Sequence, residues 1–198
     1  MSETTNFRIN EVRWHGRGGQ GAVTAAHILA EAAFVQGYQG VTSVPAFGAE
    51  RRGVPVFAST RFAHQTIRVY SQIETPDVVV VLDETLLDDP ATTEGLKAGG
   101  WLVVNSTAPP EQLAIAAECN VATADATRIS VELGLILAGL VLVNTAILGA
   151  FSRATGLVSM ESIESVLRRR FSNPSAGKNI DAARMTYDRT VLRLRKQQ

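Results

Sequence analysis

"WHGRGGQGAVTAAHILAEAAF", residues 14–34, places four glycines within the six positions Gly16–Gly21, immediately before an apolar run. Glycine weakens helices and strands alike, so such a cluster belongs where the backbone bends sharply or where something approaches it closely. The flanks identify what the bend joins. Upstream, Arg8–His15 carries Ile9, Val12 and Trp14 in an imperfect alternation that reads as a strand. Downstream, Ala22–Val35 spaces Ala22, Ala25, Ala26, Leu29 and Ala33 as a helix does.

The same alternation continues along the chain. "DVVVVLD", Asp77–Asp83, is a β-branched run of the kind found in a buried parallel strand. A helix is expected to follow over Glu84–Lys97. "GWLVVNS", Gly100–Ser106, repeats the buried-strand pattern, and "NVATADA", Asn120–Ala126, reads as a third. Val41–Phe47 is a short apolar piece running into a proline- and glycine-rich loop. Val56–Arg61 and Thr66–Ser71 read as strands paired around a polar turn at His64. Further helices are expected over Met160–Phe171 and from about Ile180 to Arg195. The fold class that follows is α/β: a three-layer α/β/α sandwich, Rossmann-like, with a parallel or mixed central sheet. Its organisation reads as a flexible tail over residues 1–8 and one domain over 9–198.

One segment invites a different reading. Leu133–Phe151, "LGLILAGLVLVNTAILGAF", is uncharged and nearly as long as the roughly 20 residues that cross a bilayer. Asn144 and Thr145 lie inside it, and no close lysine or arginine belt brackets it. A helix buried on all sides is therefore expected instead. Its small residues Gly134, Ala138 and Gly139 would admit another backbone or belong to a dense core.

Composition narrows the function. With 19 lysines and arginines against 19 aspartates and glutamates, no net field draws the chain toward nucleic acid or anionic lipid. The lone cysteine, Cys119, excludes an internal disulfide and reads as a small buried hydrophobe. One thiolate also falls short of the four that an iron–sulfur cluster normally requires, so the chain cannot carry a cluster alone. Met1–Phe7 is short and polar without an apolar stretch, which predicts a cytoplasmic protein.

Gly16, Gly18 and Gly21 match G-x-G-x-x-G between strand and helix, where backbone amides at a helix start favour a phosphate. A dinucleotide fold also needs a carboxylate about 20 residues on, at the end of the next strand. Ser43, Pro45 and Phe47 stand there instead, and no carboxylate precedes Glu50. The glycines could also serve only tight strand-to-helix packing. Gln20, a polar amide among them, suits a hydrogen bond to a ligand or another chain. A second stretch, "PAFGAERRGVPV" (Pro45–Val56), sets Glu50, Arg51 and Arg52 between glycines. Such a trio suits phosphate binding, an ion-paired contact with another subunit, or a solvated turn.

Taken together, these stretches resemble the gamma subunit of the pyruvate:ferredoxin oxidoreductase family, the 2-oxoacid:ferredoxin oxidoreductases. The resemblance rests on "GRGGQGAVTAAHILAEA", "PAFGAERRGVPV", "DVVVVLDE", "NTAILGAF" (Asn144–Phe151) and "GKNIDAA" (Gly177–Ala183), and spans the chain from about Ile9 onward. It implies a subunit with no catalytic residue of its own and no metal site. Thiamine diphosphate, magnesium and [4Fe-4S] clusters would reside on alpha, beta and delta-type partners. Electrons would pass to ferredoxin, or through a flavin subunit to NAD. This chain would help close the active site and engage coenzyme A. Carried onto these residues, Gly16, Arg17, Gly18, Gly19, Gln20 and Gly21 would form the turn facing ligand or partner, with Glu50, Arg51 and Arg52 as the contact loop.

Other residues are open to plainer readings. Asp83, ending the clearest strand, faces a ligand crevice or caps the next helix. His15, His27 and His64 lack metal-ligand spacing and read as structural. Arg168–Arg170 read as a solvated helix face, or as a docking patch.

Overall fold

A computed structural model describes residues 8–45, 53–69, 71–115 and 118–195. The strand before the glycines, β1 (Asn10–Arg17), runs on through Gly16, and helix α1 (Ala22–Gln36) starts just past Gly21. Then come β2 (Gly40–Pro45), β3 (Pro55–Ala63), β4 (Val78–Val81), β5 (Trp101–Asn105), β6 (Asn120–Ala124) and α2 (Ala126–Glu132). A small hairpin, β7 (Ile136–Leu137) and β8 (Leu140–Val141), precedes α3 (Ile147–Thr155), α4 (Met160–Arg170), α5 (Ser175–Arg189) and β9 (Val191–Arg193).

The main sheet has seven strands in the order β2-β3-β1-β4-β5-β6-β9. β1, β4, β5 and β6 are parallel, whereas β3 is antiparallel to both β1 and β2, and β9 is antiparallel to β6. This is the expected α/β architecture with a mixed central sheet. Its two covering layers are unequal among the described residues. Val12, Trp14, Phe62, Val80, Val103 and Ala122 face a core built with residues of α1, α3, α4 and α5. On the opposite face Val79, Val81, Leu102, Val104 and Val121 pack beneath Leu86, Leu87, Leu96, Leu113 and Ile115, which come from short 3-10 turns and loops.

Trp14 ties the helical face together. Its ring stacks on Phe151 at 6.2 Å, and its indole N–H donates to Thr60 Oγ1 at 3.0 Å. Thr60 in turn donates to the Ala26 carbonyl of α1 at 3.0 Å. A buried indole with a satisfied N–H contributes both area and orientation. The later motifs are packing devices. Gly149 of α3 lies so close to α5 that a Cβ there would overlap the Ala183 carbonyl.

Several expectations are corrected. Glu84–Lys97 forms no continuous α-helix, only two short 3-10 helices: Asp83 caps one over Glu84–Asp88, and Asp89 caps another over Pro90–Thr92. Pro90 lacks the N–H that would continue the first turn. Residues 66–69 form no strand, because β2 and β1 already occupy both edges of β3; Tyr70 lies outside the described residues. The last helix starts earlier and ends earlier than expected, at Ser175–Arg189, and the chain then joins the sheet as β9.

Leu133–Phe151 is the largest correction. Gly134, Ala138 and Gly139 have φ of 67°, 48° and 76°, and these left-handed positions break the run. Ala138 and Gly139 turn the β7–β8 hairpin, so they line no helix. Leu137 is 65 % exposed, while Ala146–Phe151 is buried. Burial on all sides therefore holds only for the second half. Among the described residues no helix is long and apolar enough to cross a membrane. The tail reading for residues 1–8 falls, apart from Arg8, outside the described residues.

Candidate functional site

β1, α1 and β4 meet where the glycine turn crosses the carboxyl end of the sheet. Gly19 and Gly21 have φ of 96° and 84°, which L side chains rarely adopt. A Cβ at Gly19 would strike Leu140 Cδ1, and one at Gly21 would lie 2.5 Å from Asn144 Nδ2. Gly16 has a different reason: a Cβ there would stand 3.1 Å from Ala22 Cβ, so strand and helix pack closely. Both alternatives, sharp bend and close approach, are thus realised within six residues.

The turn is closed by its own polar groups. Gln20 Oε1 accepts the Arg17 N–H at 2.7 Å, and the Gln20 N–H donates to the Arg17 carbonyl at 3.0 Å. The Arg17 guanidinium donates from Nε to Asp83 Oδ2 at 3.0 Å and from Nη2 to Thr85 Oγ1 at 2.7 Å. Gln20 Nε2 reaches the same Asp83 oxygen at 3.2 Å. Asp83 Oδ1 accepts from the Thr85 N–H at 3.1 Å and its hydroxyl at 2.6 Å. Asp83 thus takes the capping role, on a 3-10 turn, and its carboxylate also binds Arg17 and Gln20 of the glycine segment.

Burial raises the Asp83 pKa, but the Thr85 bonds, the Arg17 charge and the Gln20 amide outweigh it and hold the carboxyl below its ordinary range. Arg17 and Asp83 thus form a locked ion pair beside the turn.

The two sequence motifs meet here. The Gly18 N–H donates to the Val54 carbonyl at 2.8 Å, and the Gly53 N–H donates back to the Gly18 carbonyl at 3.1 Å. Arg17 Nη1 adds a bond to the Gly53 carbonyl at 3.2 Å. Glu50, Arg51 and Arg52 themselves lie outside the described residues.

These bonds decide which amides can meet a ligand. Those of Arg17, Gly18 and Gln20 are used within the site, whereas Gly21, the N-cap of α1, gives the helix no side-chain cap. Unpaired first-turn amides carry partial positive charge and favour an anion. Nicotinamide binding lacks its usual frame. The strand after α1 lies at the sheet rim, separated from β1 by β3, and ends at Pro45. Thr85 and Asn144 are site residues that sequence reasoning missed, since nothing in a one-dimensional pattern brings position 144 beside position 21.

The remaining candidates have local roles. His15 is 3 % exposed; Arg13 Nε donates to its Nε2 at 3.1 Å, and its ring meets Phe57 edge-on at 5.0 Å. Burial, reinforced by Arg13 and opposed by Asp89, pushes its pKa down to about 3. His64 stacks on Tyr38 at 4.4 Å. Cys119 is buried beneath the sheet's loop-covered face. Arg170 pairs with Glu31 of α1 at 2.7 Å, and Arg168 approaches Glu164 at 3.6 Å. Among the described residues no group of His, Cys, Asp and Glu could hold a metal ion.

Comparison with known proteins agrees with this architecture. A family model described as "Pyruvate ferredoxin/flavodoxin oxidoreductase" matches residues 11–189. The "Pyruvate/ketoisovalerate oxidoreductases common subunit gamma" of Pyrococcus furiosus is 50 % identical over 185 residues, covering 92 % of this chain and 97 % of that protein. The crystal structure of pyruvate oxidoreductase subunit PORC from Thermotoga maritima superposes with a TM-score of 0.81 at 37 % identity, covering 93 % of this chain and 98 % of that one. A 2-oxoglutarate:ferredoxin oxidoreductase from Magnetococcus marinus, solved with 2-oxoglutarate, coenzyme A and succinyl-CoA bound, shares the fold at TM-score 0.68 and 18 % identity, over 91 % of this chain and 31 % of that one. With that family model matched over residues 11–189 and a gamma subunit 50 % identical across nearly its whole length, the chain belongs to the pyruvate ferredoxin/flavodoxin oxidoreductase family, as a gamma subunit.

Proposed function

We propose that this subunit engages coenzyme A and helps close the active site of a complex that oxidatively decarboxylates a 2-oxoacid, pyruvate or a branched-chain acid first among them. 2-Oxoglutarate and aryl acids such as phenylglyoxylate are the other substrates of this class. One observation carries the reading: the Gly53–Gly18–Val54 backbone clamp sets the chain immediately after Glu50–Arg52 against the glycine turn. Two motifs far apart in sequence thereby flank one uncapped helix start. The coenzyme A in the Magnetococcus marinus structure supports a phosphate-bearing ligand for this fold.

The fit is chemical. The uncapped α1 start offers donors to phosphate oxygens, and Gly19, exposed and without a side chain, leaves the turn approachable. Gly16–Gly21 would position the ligand, and Arg51 and Arg52 would add bidentate donors from the flanking loop. Coenzyme A supplies the thiol that accepts the acyl group. Arg17 and Asp83 would hold the turn's shape without touching that chemistry.

With a single cysteine, this chain leaves the [4Fe-4S] clusters to its partners. Thiamine diphosphate and magnesium would likewise reside on alpha, beta and delta-type chains. Ferredoxin, or a flavin subunit reducing NAD, would receive the electrons, and the complex would work in the cytoplasm.

Reversing both charges (Arg51→Glu, Arg52→Glu) in the assembled complex tests this. The expected outcome is a KM for coenzyme A raised about tenfold or more, with the subunits still co-purifying. Loss of co-purification with unchanged coenzyme A affinity in the surviving complex would instead make the pair a subunit contact.

A further inference from the structure

The main sheet ends on β2, and among the described residues no strand lies on its outer side. Its six residues, Gly40–Pro45, carry no charge. The opposite edge is built otherwise: β9 has three residues, ends on Arg193 and is followed closely by Arg195. Soluble proteins blunt a sheet edge with charge, brevity or proline, because a row of free N–H and C=O groups pairs readily with another strand. β9 is blunted in this way, whereas β2, apart from its final Pro45, is not.

Beside β2 runs a groove of about 710 Å3, lined among others by Glu31, Phe34 and Val35 of α1, Val41 and Ser43 of β2, and Arg169 of α4. Phe34 is 62 % exposed and Val35 39 %. Ser43 is registered against Thr60, whose hydroxyl donates to α1, so Ser43 stands on the α1 side of the sheet. Its Oγ is buried without a hydrogen-bond partner among the described residues. The charges of the groove are only partly used. Glu31 accepts from Arg170 at 2.7 Å through one of its two carboxylate oxygens, and Arg169 pairs with no carboxylate among the described residues.

A surface of this kind is complementary to itself. It holds an acid with an oxygen to spare and an uncommitted arginine, so a twofold axis brings Arg169 of each copy toward Glu31 of the other. A serine hydroxyl both donates and accepts, so two Ser43 side chains meeting at the axis satisfy one another. A strand paired with its own copy about an axis normal to the sheet is antiparallel, and both α1 layers stay on one side. With Ser43 on the axis, Thr42 faces Val44 of the other copy, and Phe34 and Val35 of the two helices close over the joint. We propose that β2 is a dimerisation edge: two copies of this chain pair β2 to β2 about Ser43 and join their seven-stranded sheets into one.

Two measurements test this. Phe34→p-benzoylphenylalanine, irradiated in the assembled oxidoreductase, should cross-link one copy of this chain to another, with the linked peptide drawn from the same α1–β2 region. Cross-links to a companion chain, or links within one copy alone, overturn the proposal. Sedimentation equilibrium of the full chain should show a monomer–dimer equilibrium. Thr42→Lys sets a charge on the edge, and Arg169→Glu sets like charges across the axis. Each should raise the dimer dissociation constant about tenfold or more, with circular dichroism unchanged. A parent chain that stays monomeric, or variants that dimerise as tightly as the parent, overturn the inference.

Discussion

His15 is buried, 3 % exposed, between Arg13 and the Phe57 ring. Its Nε2 is taken by Arg13, and its Nδ1 is buried without a partner, so the neutral ring carries its proton on Nδ1. With a folded pKa of about 3, the unfolded chain binds the extra proton first as pH falls below the ordinary 6.5. Stability from this residue is therefore complete above about pH 6.5 and is lost progressively down to about pH 3. Asp83 acts in the same direction at lower pH, because its depressed folded pKa stabilises the fold above the ordinary carboxylate value and ceases to do so as acid protonates it. Replacing His15 with Gln, which retains an acceptor for Arg13, should flatten the stability curve between about pH 6.5 and 4 in urea titrations. An acid limb as steep as that of the parent would show that other groups set it.

Elements with an unbroken pattern were legible in the sequence, and those decided by single residues were not. The β-branched runs became β4 and β5, and the alanine-spaced segment became α1, because burial on both sides of a parallel strand imposes its own composition. The Leu133–Phe151 run failed as a guide because hydropathy does not record handedness. Ala138 and Gly139 adopt left-handed φ in a two-residue turn between Leu137 and Leu140. Glycine bears this freely, but alanine does so at a cost of about 1–2 kcal/mol. Asparagine tolerates the conformation, and Asn-Gly is the preferred pair for such turns. Ala138→Asn should accordingly raise the melting temperature by about 2–4 °C, measured calorimetrically; a drop would show that Ala138 has contacts worth more than the strain.

For the whole molecule, the family motifs proved readable for reasons the linear pattern hides. "NTAILGAF" and "GKNIDAA" pack against one another, with Gly149 admitting the Ala183 carbonyl, so their small residues record an α3–α5 contact. The turn at Gly16–Gly21 was recognisable from glycine spacing alone. Its lock on Asp83 and the convergence of Asn144 were not, since both depend on the parallel order β1-β4-β5 and on the path of α3.

The segment 46–52 has firm anchorages at both ends. Pro45 is registered against Ala58 in the sheet, and Gly53 is hydrogen-bonded to Gly18. Sequence change between two fixed posts costs the rest of the fold little, since loop-closure entropy grows only slowly with length. Such a stretch is an interchangeable cassette, one that divergence can rewrite without refolding its host. Exchanging it for the corresponding residues of a relative should leave circular dichroism spectra and the co-purifying subunits unaltered while changing the KM for coenzyme A of the assembled complex.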